Sequence, residues 1–310
     1  MKKTIKVGIV LLVLGVILAI LGIANNGIQS VYWDQGFKIA KQRVQVYRPK
    51  QIKSITLNSD LAIIVRTGDT TKIRVASSHD KPTVTTKAGH VTITSKHASD
   101  LQTVGFHFSP VLTDATVITV PRGTVLNQLT TTSQQGDVRL SGIKVRQINL
   151  ANHGNVTLNN VNTDKALTLN TNDTVRLTNV TAPSLQLTTT SADLHVTTSQ
   201  FNAGQSNLTT TNGNITIRQT AFTRAQLRTT NGNVTFNDNQ VTKRLHANTT
   251  NGNIHVQAPT DTGINAITSS GNLTIFNWHQ TNQHQHAYRP RATTQYQLTT
   301  TSGNINVSAS

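Results

Sequence analysis

The chain has no cysteine and no glutamate. Without thiols it makes neither disulfides nor cysteine-based zinc sites, so long-range order must come from backbone pairing and packing. All 12 acidic residues are aspartate. Glutamate favours helices and aspartate favours turns, so this absence points away from helical structure. Aromatic residues make up only 4% and charged residues only 13% of the 310 residues. The hydrophobic share of 35% is low and suits a narrow, elongated core better than a thick globular one. One long apolar run is present, from Val7 to Ala24.

What is abundant is Thr and Asn, arranged as a repeat. The unit reads Thr229-Thr230-Asn231-Gly232-Asn233-Val234-Thr235-Phe236 and again Thr249-Thr250-Asn251-Gly252-Asn253-Ile254-His255-Val256. Weaker copies centre on Gly136, Gly154, Asp173, Ala192, Gly213, Gly271 and Gly303. The nine centres are spaced 18, 19, 19, 21, 19, 20, 19 and 32 residues apart, the spacing of stacked repeat units. Asn-Gly is a tight-turn signal, with Gly expected at positive φ. The triplet after each turn alternates with period two, which is a short strand with one buried face. A second apolar segment precedes each turn, at Leu208, Leu227, Leu245 and Leu298.

These features predict an all-β chain: a parallel β-solenoid of about nine rungs, each near 19 residues. A sandwich of meandering strands is the rival arrangement. Asn at equivalent turn positions (Asn212, Asn231, Asn251 and Asn214, Asn233, Asn253, Asn272) is expected to form ladders between rungs. Residues 129–310 hold the repeats, with an insertion at 277–292 that explains the 32-residue gap. Residues 44–128 alternate without the Asn-Gly turn and read as an irregular β cap on the open end. Residues 25–43 read as a juxtamembrane spacer, with Tyr32, Trp33 and Phe37 placed for the headgroup level.

Residues 1–24 read as a transmembrane signal anchor. The apolar run is about the minimum that spans a bilayer. Lys2, Lys3 and Lys6 before it predict a single pass with the amino terminus cytoplasmic and the β domain extracytoplasmic. A cleaved signal peptide is the alternative, given the small residues Gly22-Ile23-Ala24. Either way the repeats are exported.

The formal net charge is +16, from 28 basic and 12 acidic residues, with 11 His besides. Such a surface concentrates anionic polymers: wall polymers, anionic headgroups or glycans. Stacking would place Arg139, Thr157, Arg176, His195, Thr216, Thr235, His255, Thr274 and Asn306 in one outward column, in that order. A second basic group is Arg218, Arg224, Arg228, Lys243 and Arg244. The candidate polyanion contacts are therefore Arg139, Arg176, His195, His255, Arg218, Arg224, Arg228, Lys243 and Arg244. Nucleic acid is a poor partner, because the chain is exported and lacks interleaved aromatics.

No cofactor signature is present. His279, His284 and His286 are weak metal candidates, since no carboxylate lies near them and their spacing matches no standard site. A glycan-cleaving β-helix enzyme needs close carboxylates. Asp173 and Asp193 come from neighbouring rungs, with Asp137 further off, but all occupy turn positions that Asn or Gly fill elsewhere. The chain reads as non-catalytic.

The basic amino terminus, the segment Trp33-Asp34-Gln35-Gly36-Phe37, the Val120-Pro121 step and the recurring Thr-Thr-x-Gly-Asn/Asp-Val/Ile unit together resemble the bacterial putative-adhesin family of β-strand repeats. The resemblance covers roughly residues 50 to 310, plus the anchor. It implies an extracytoplasmic β-solenoid at the envelope of a Gram-positive-like cell. Similar proteins are often associated with envelope-stress systems, which adds a membrane-protein partner to the expectations. The family has no agreed catalytic residues, and none are carried over.

Overall fold

The structure, a computed structural model, describes the backbone of residues 2–24, 31–33, 37–39, 43–77, 82–95, 102–103, 114–280 and 284–310, and side chains at 5–21, 43–77, 82–95, 114–131, 135–278 and 284–310. Helix α1 (Lys2–Ala24) leads the chain. Its large apolar side chains from Ile5 to Leu21 are exposed. Among the described residues, no helix is long and apolar enough to cross a membrane. Val31–Trp33 pairs antiparallel with Phe37–Ile39 and with Gln102–Thr103. The side chains of Tyr32, Trp33 and Phe37, read above as headgroup aromatics, lie outside the described residues.

From Ser54 onward most strands stack in parallel columns, while Lys72–Ser77 pairs antiparallel with Arg43–Tyr47 and Ala115–Pro121, and Thr83–Lys87 with His90–Thr94. In the post-turn column Ile63, Val138, Val156, Val175, Leu194, Ile215, Val234, Ile254, Ile305 and Leu273 stand side by side in register. In the pre-turn column the series is Leu57, Thr131, Leu150, Leu169, Leu187, Leu208, Leu227, Ala247, Leu298 and Ala266. A third, shorter column links Ala182, Phe201, Phe222 and Val241. The inward residues of all three meet in one hydrophobic cluster running from Ile52 to Val307. Phe201, Phe222, Phe236 and Tyr296 pack ring on ring across successive rungs at centroid distances of 5.4, 6.2 and 6.2 Å. Four of the few aromatics thus form a spine through the core.

The repeat's composition is explained atom by atom. In six units (Thr171, Thr210, Thr229, Thr249, Thr268 and Thr300) the Thr is buried and donates its hydroxyl to the turn carbonyl of a neighbouring rung, whereas Asn152 takes its place in the Gly154 unit and Thr189 makes no such bond. Thr229 reaches the Gly213 oxygen at 2.9 Å, Thr249 the Gly232 oxygen at 2.8 Å and Thr300 the Gly252 oxygen at 2.9 Å. Two Asn lanes flank it. Asn231 Nδ2 donates to Asn212 Oδ1 at 2.7 Å, and Asn251 Nδ2 to Asn231 Oδ1 at 2.8 Å. In the second lane each Oδ1 accepts a backbone N–H: Asn214 from Asn233, Asn233 from Asn253, Asn253 from Asn304, and Asn304 from Asn272. The Thr bonds and the second lane pair turn carbonyls and backbone N–H groups between rungs, while the first lane ties exposed side chains to one another.

The turn glycines serve a purpose other than the expected positive φ. Gly213, Gly232, Gly252 and Gly303 do not adopt it. A Cβ on Gly232 would instead meet the Gly213 carbonyl, 2.6 Å from its carbon and closer to its oxygen. Glycine is there so that backbones can touch. A left-handed residue recurs at the next corner, after the post-turn strand: Gly142, Asn160, Asn179, Thr198, Gln219 and Asp238, with φ of 65°, 54°, 53°, 50°, 50° and 55°. Asn is the best non-glycine residue for this conformation and β-branched Thr among the worst. Replacing Thr198 by Asn, which also extends the Asn179–Asn160 side-chain bond that begins in the adjacent rung, should raise stability by about 1 kcal/mol in urea unfolding.

Three features depart from the sequence reading. The parallel register begins earlier than the repeat units, because Ser54–Asn58 and Ala62–Gly68 already form a rung beneath Val125–Gln134 and Val138–Ser141. The rungs are also not stacked in chain order at the end. Ile305–Ala309 lies between Ile254–Ala258 and Leu273–Ile275, so the last segment of chain is threaded between two earlier rungs. The third is the insertion, which forms strands rather than a loop. Trp278–Gln280 pairs antiparallel with Leu273–Ile275, and Gln285–Tyr288 pairs antiparallel with Gly263–Ser270. It covers both open edges of the outermost rung, where an unpaired parallel edge would invite association. The extra length of the 32-residue gap builds this cap and returns the chain inward.

Candidate functional site

Cations gather on two outward faces. On the post-turn face the order in space is Arg139, Thr157, Arg176, His195, Thr216, Thr235, His255, Asn306 and Thr274. The final two are exchanged relative to chain order, as the threaded rung requires. Arg139 and Arg176 are exposed, while His195 and His255 are half-buried. Arg139 Nη2 lies 3.3 Å from Asp137 Oδ2, which offsets part of its charge. Arg218 shares this face, beside Thr197 and Asn237. Burial first, then Arg176, hold the His195 pKa below its ordinary 6.5; Asp193 opposes this and Arg218 adds to it. Protonation of His195 on acidification is therefore resisted by the fold, and this position does not add charge as readily as a free imidazole.

The pre-turn face is different. Register sets Gln205 beside Arg224, Arg224 beside Arg244, and Arg244 beside Gln295. Two arginines thus lie on adjacent strands about 4.8 Å apart, where like charges repel. Lys243 joins them through a register shift. Between Phe222↔Val241 and Arg224↔Arg244 one strand holds one residue and its partner two. Such a bulge re-aims a side chain, and Thr242, Lys243 and Arg244 are consecutively exposed. Arg224, Lys243, Arg244 and His246 line a groove of about 650 Å³ together with Gln205, Gln226, Thr293, Gln295 and Gln297. Among its described lining residues there is no carboxylate.

A lane of amides leads into this groove. Asn207 Nδ2 donates to Gln186 Oε1 at 2.8 Å, and Gln205 Nε2 donates to Asn207 Oδ1 and Gln226 Oε1, each at 3.1 Å. The alternation that buries Leu227, Ala247 and Leu298 turns Gln226, His246 and Gln297 outward. Arg228 stands at the far end of the same strand, beside Thr209 and Asn248, and outside the groove. The five-residue basic group therefore divides: Arg224, Lys243 and Arg244 come together, while Arg218 and Arg228 do not join them. His246 was missed, although its spacing of two from Arg244 was visible.

The other candidates are used structurally. His286 stacks on Trp278 at 3.8 Å between ring centroids. His284 is exposed, and the His279 side chain lies outside the described residues. Among the described residues, no three metal-ligating side chains gather. Asp193 Oδ1 accepts from Asn214 N at 2.8 Å, and Asp137 Oδ1 from Asn155 N at 3.1 Å. Both carboxylates stand in the lane that Asn fills in other rungs.

A family model described as Toastrack DUF4097 matches residues 52–308. The chain belongs to this family. The match covers the whole stack from its first rung, and the repeat resemblance is borne out. Solved structures similar to this Toastrack chain include a putative adhesin from Parabacteroides distasonis, 14% identical, covering 86% of this chain and 97% of that one at a TM-score of 0.46. A putative lipid binding protein from the same species is 14% identical over 85% and 96%, at 0.43. A putative adhesin from Bacteroides fragilis is 12% identical over 87% and 97%, at 0.33. No curated protein matches the Toastrack chain.

Proposed function

We propose that this chain is a membrane-anchored, extracytoplasmic and non-catalytic binding module whose basic outer surface holds anionic polymers of the cell envelope or glycans. The observation that carries the reading is the groove of Arg224, Lys243, Arg244 and His246, which has no carboxylate among its described lining residues. Arg224 and Arg244 repel each other in the free protein, and a bound anion relieves that repulsion. The anchor rests on helix α1, whose large apolar side chains from Ile5 to Leu21 are exposed and which carries Lys2, Lys3 and Lys6 at its amino-terminal end. The non-catalytic reading is supported by Asp137 and Asp193, whose oxygens serve the rung lane rather than an open cleft.

The test uses residues 44–310, which contain every residue of the described core. Binding to intact envelopes is expected to be strong at low salt, to fall steeply as salt rises, and to disappear after anionic polymer is stripped away. Binding through several cations releases as many counterions, so the slope against log salt should exceed that for a single ion pair. Equal binding to stripped and intact envelopes would overturn the proposal.

A further inference from the structure

The basic groove does not end at the last rung of its own column. A second cavity of about 560 Å³, lined by Asp261, Arg289, Arg291 and Thr293 among others, shares Thr293 with it. The two are joined by design of the chain rather than by proximity alone. Gln295 lines the groove and stands in register with Arg244. Its Nε2 donates to the Ala292 oxygen at 2.7 Å, the Pro290 oxygen at 3.2 Å and the Arg289 oxygen at 3.4 Å. One amide therefore pins the whole 289–292 loop against the groove. Arg289 is fixed further, with its guanidinium 5.6 Å from the centre of the Tyr288 ring, and Tyr288 donates to the Thr260 oxygen at 3.0 Å.

The track can be measured in strands. Arg224, Arg244, Gln295 and Gly263 lie on four successive strands, and the Arg289 carbonyl packs against Gly263. Three inter-strand steps span about 14 Å. Cations stand at both ends, Arg224, Lys243 and Arg244 at one and Arg289 and Arg291 at the other, where Asp261 also lines the cavity and offsets part of their charge. A single phosphate or carboxylate fills only one end. We infer that the ligand is an extended linear polyanion of phosphate-type groups that runs across the rungs from Arg224 to Arg291, and that the inserted segment sets the length of chain the protein accepts. Arginine at both ends suits oxyanions with paired oxygens.

This inference rests on the proposed anion-binding groove, and the experiment separates the two. The full-length protein in nonionic detergent is titrated with orthophosphate, tripolyphosphate and linear polyphosphate of about 25 units, at matched phosphate concentration. Chain binding multiplies the local concentration of the second contact, so the long chain is expected to bind at least tenfold tighter than tripolyphosphate. Arg291→Gln, and separately the pair Arg289→Gln and Arg291→Gln, should abolish that tenfold difference and leave tripolyphosphate affinity within twofold. Arg291 is not among the left-handed residues, so its single variant guards against a folding defect in the pair. Length dependence that survives both variants, or a long chain that binds no tighter than tripolyphosphate, overturns the inference while the groove stands. Failure of tripolyphosphate to bind at low salt overturns the groove itself.

Discussion

Gly232→Ala should lower the stability of the stack by about 3 kcal/mol, at the upper end of what overpacking costs. The new methyl would sit 2.6 Å from the Gly213 carbonyl carbon, and that same carbonyl accepts the Thr229 hydroxyl. Room can be made only by separating two rungs, which strains the Thr bond and the Asn lanes on either side. The next rung cannot help, because Gly252 approaches the Gly232 carbonyl in the same way. Ala192 and Asp173 stand at the equivalent places of two adjacent rungs, while Gly213 in the following rung still packs against the Ala192 carbonyl. Gly123→Ala is the control. Gly123 has φ of 82° but no atom within 4 Å of its added Cβ, so it should lose only about 1 kcal/mol, the left-handed penalty. Urea unfolding of residues 44–310 reads both. Equal losses at the two sites would mean that conformation, and not rung contact, is what glycine supplies at position 232.

The contrast shows what was legible in the sequence. A feature that recurs in every rung writes itself into the sequence as a period, and the parallel columns, the Thr and Asn lanes and the outward triplet positions were all readable from that period. What could not be read is what happens once. The exchange of the last two rungs depends on how the segment after the insertion is routed, and the 32-residue gap marked an irregularity without giving its direction. The Lys243 bulge comes from one residue more between Val241 and Arg244 than between Phe222 and Arg224, a difference lost in a 20-residue spacing. The left-handed corner was invisible for another reason. Gly142, Asn160, Asn179 and Asp238 are types that favour it, but Thr198 and Gln219 are not, so the corner is not marked by one residue type in every rung. Binding residues are of the unrepeated kind. The sequence could rank the cations, but their division between two faces required the register.

Register also gives the second large prediction, in which two observables move in opposite directions. Arg224→Glu places a carboxylate directly beside Arg244 on the adjacent strand. A like-charge pair becomes an opposite-charge pair, which should raise stability by about 0.5 kcal/mol. The same change removes one cation from the groove and sets a negative charge among the remaining Arg244, Lys243 and His246. Affinity for an anionic wall polymer at low salt should fall about 100-fold, equivalent to roughly 2.7 kcal/mol. Arg218→Glu, on the post-turn face and outside the groove, is the matched charge control and should change affinity by less than about threefold through long-range attraction alone. A residue that merely keeps the surface soluble would give the two variants the same modest effect. A residue that holds a ligand makes the protein more stable and less able to bind when it is reversed, because the repulsion between Arg224 and Arg244 is retained for the anion that relieves it. Unchanged polymer affinity in Arg224→Glu, with the stability gain present, would show that the arginine pair faces solvent and nothing else.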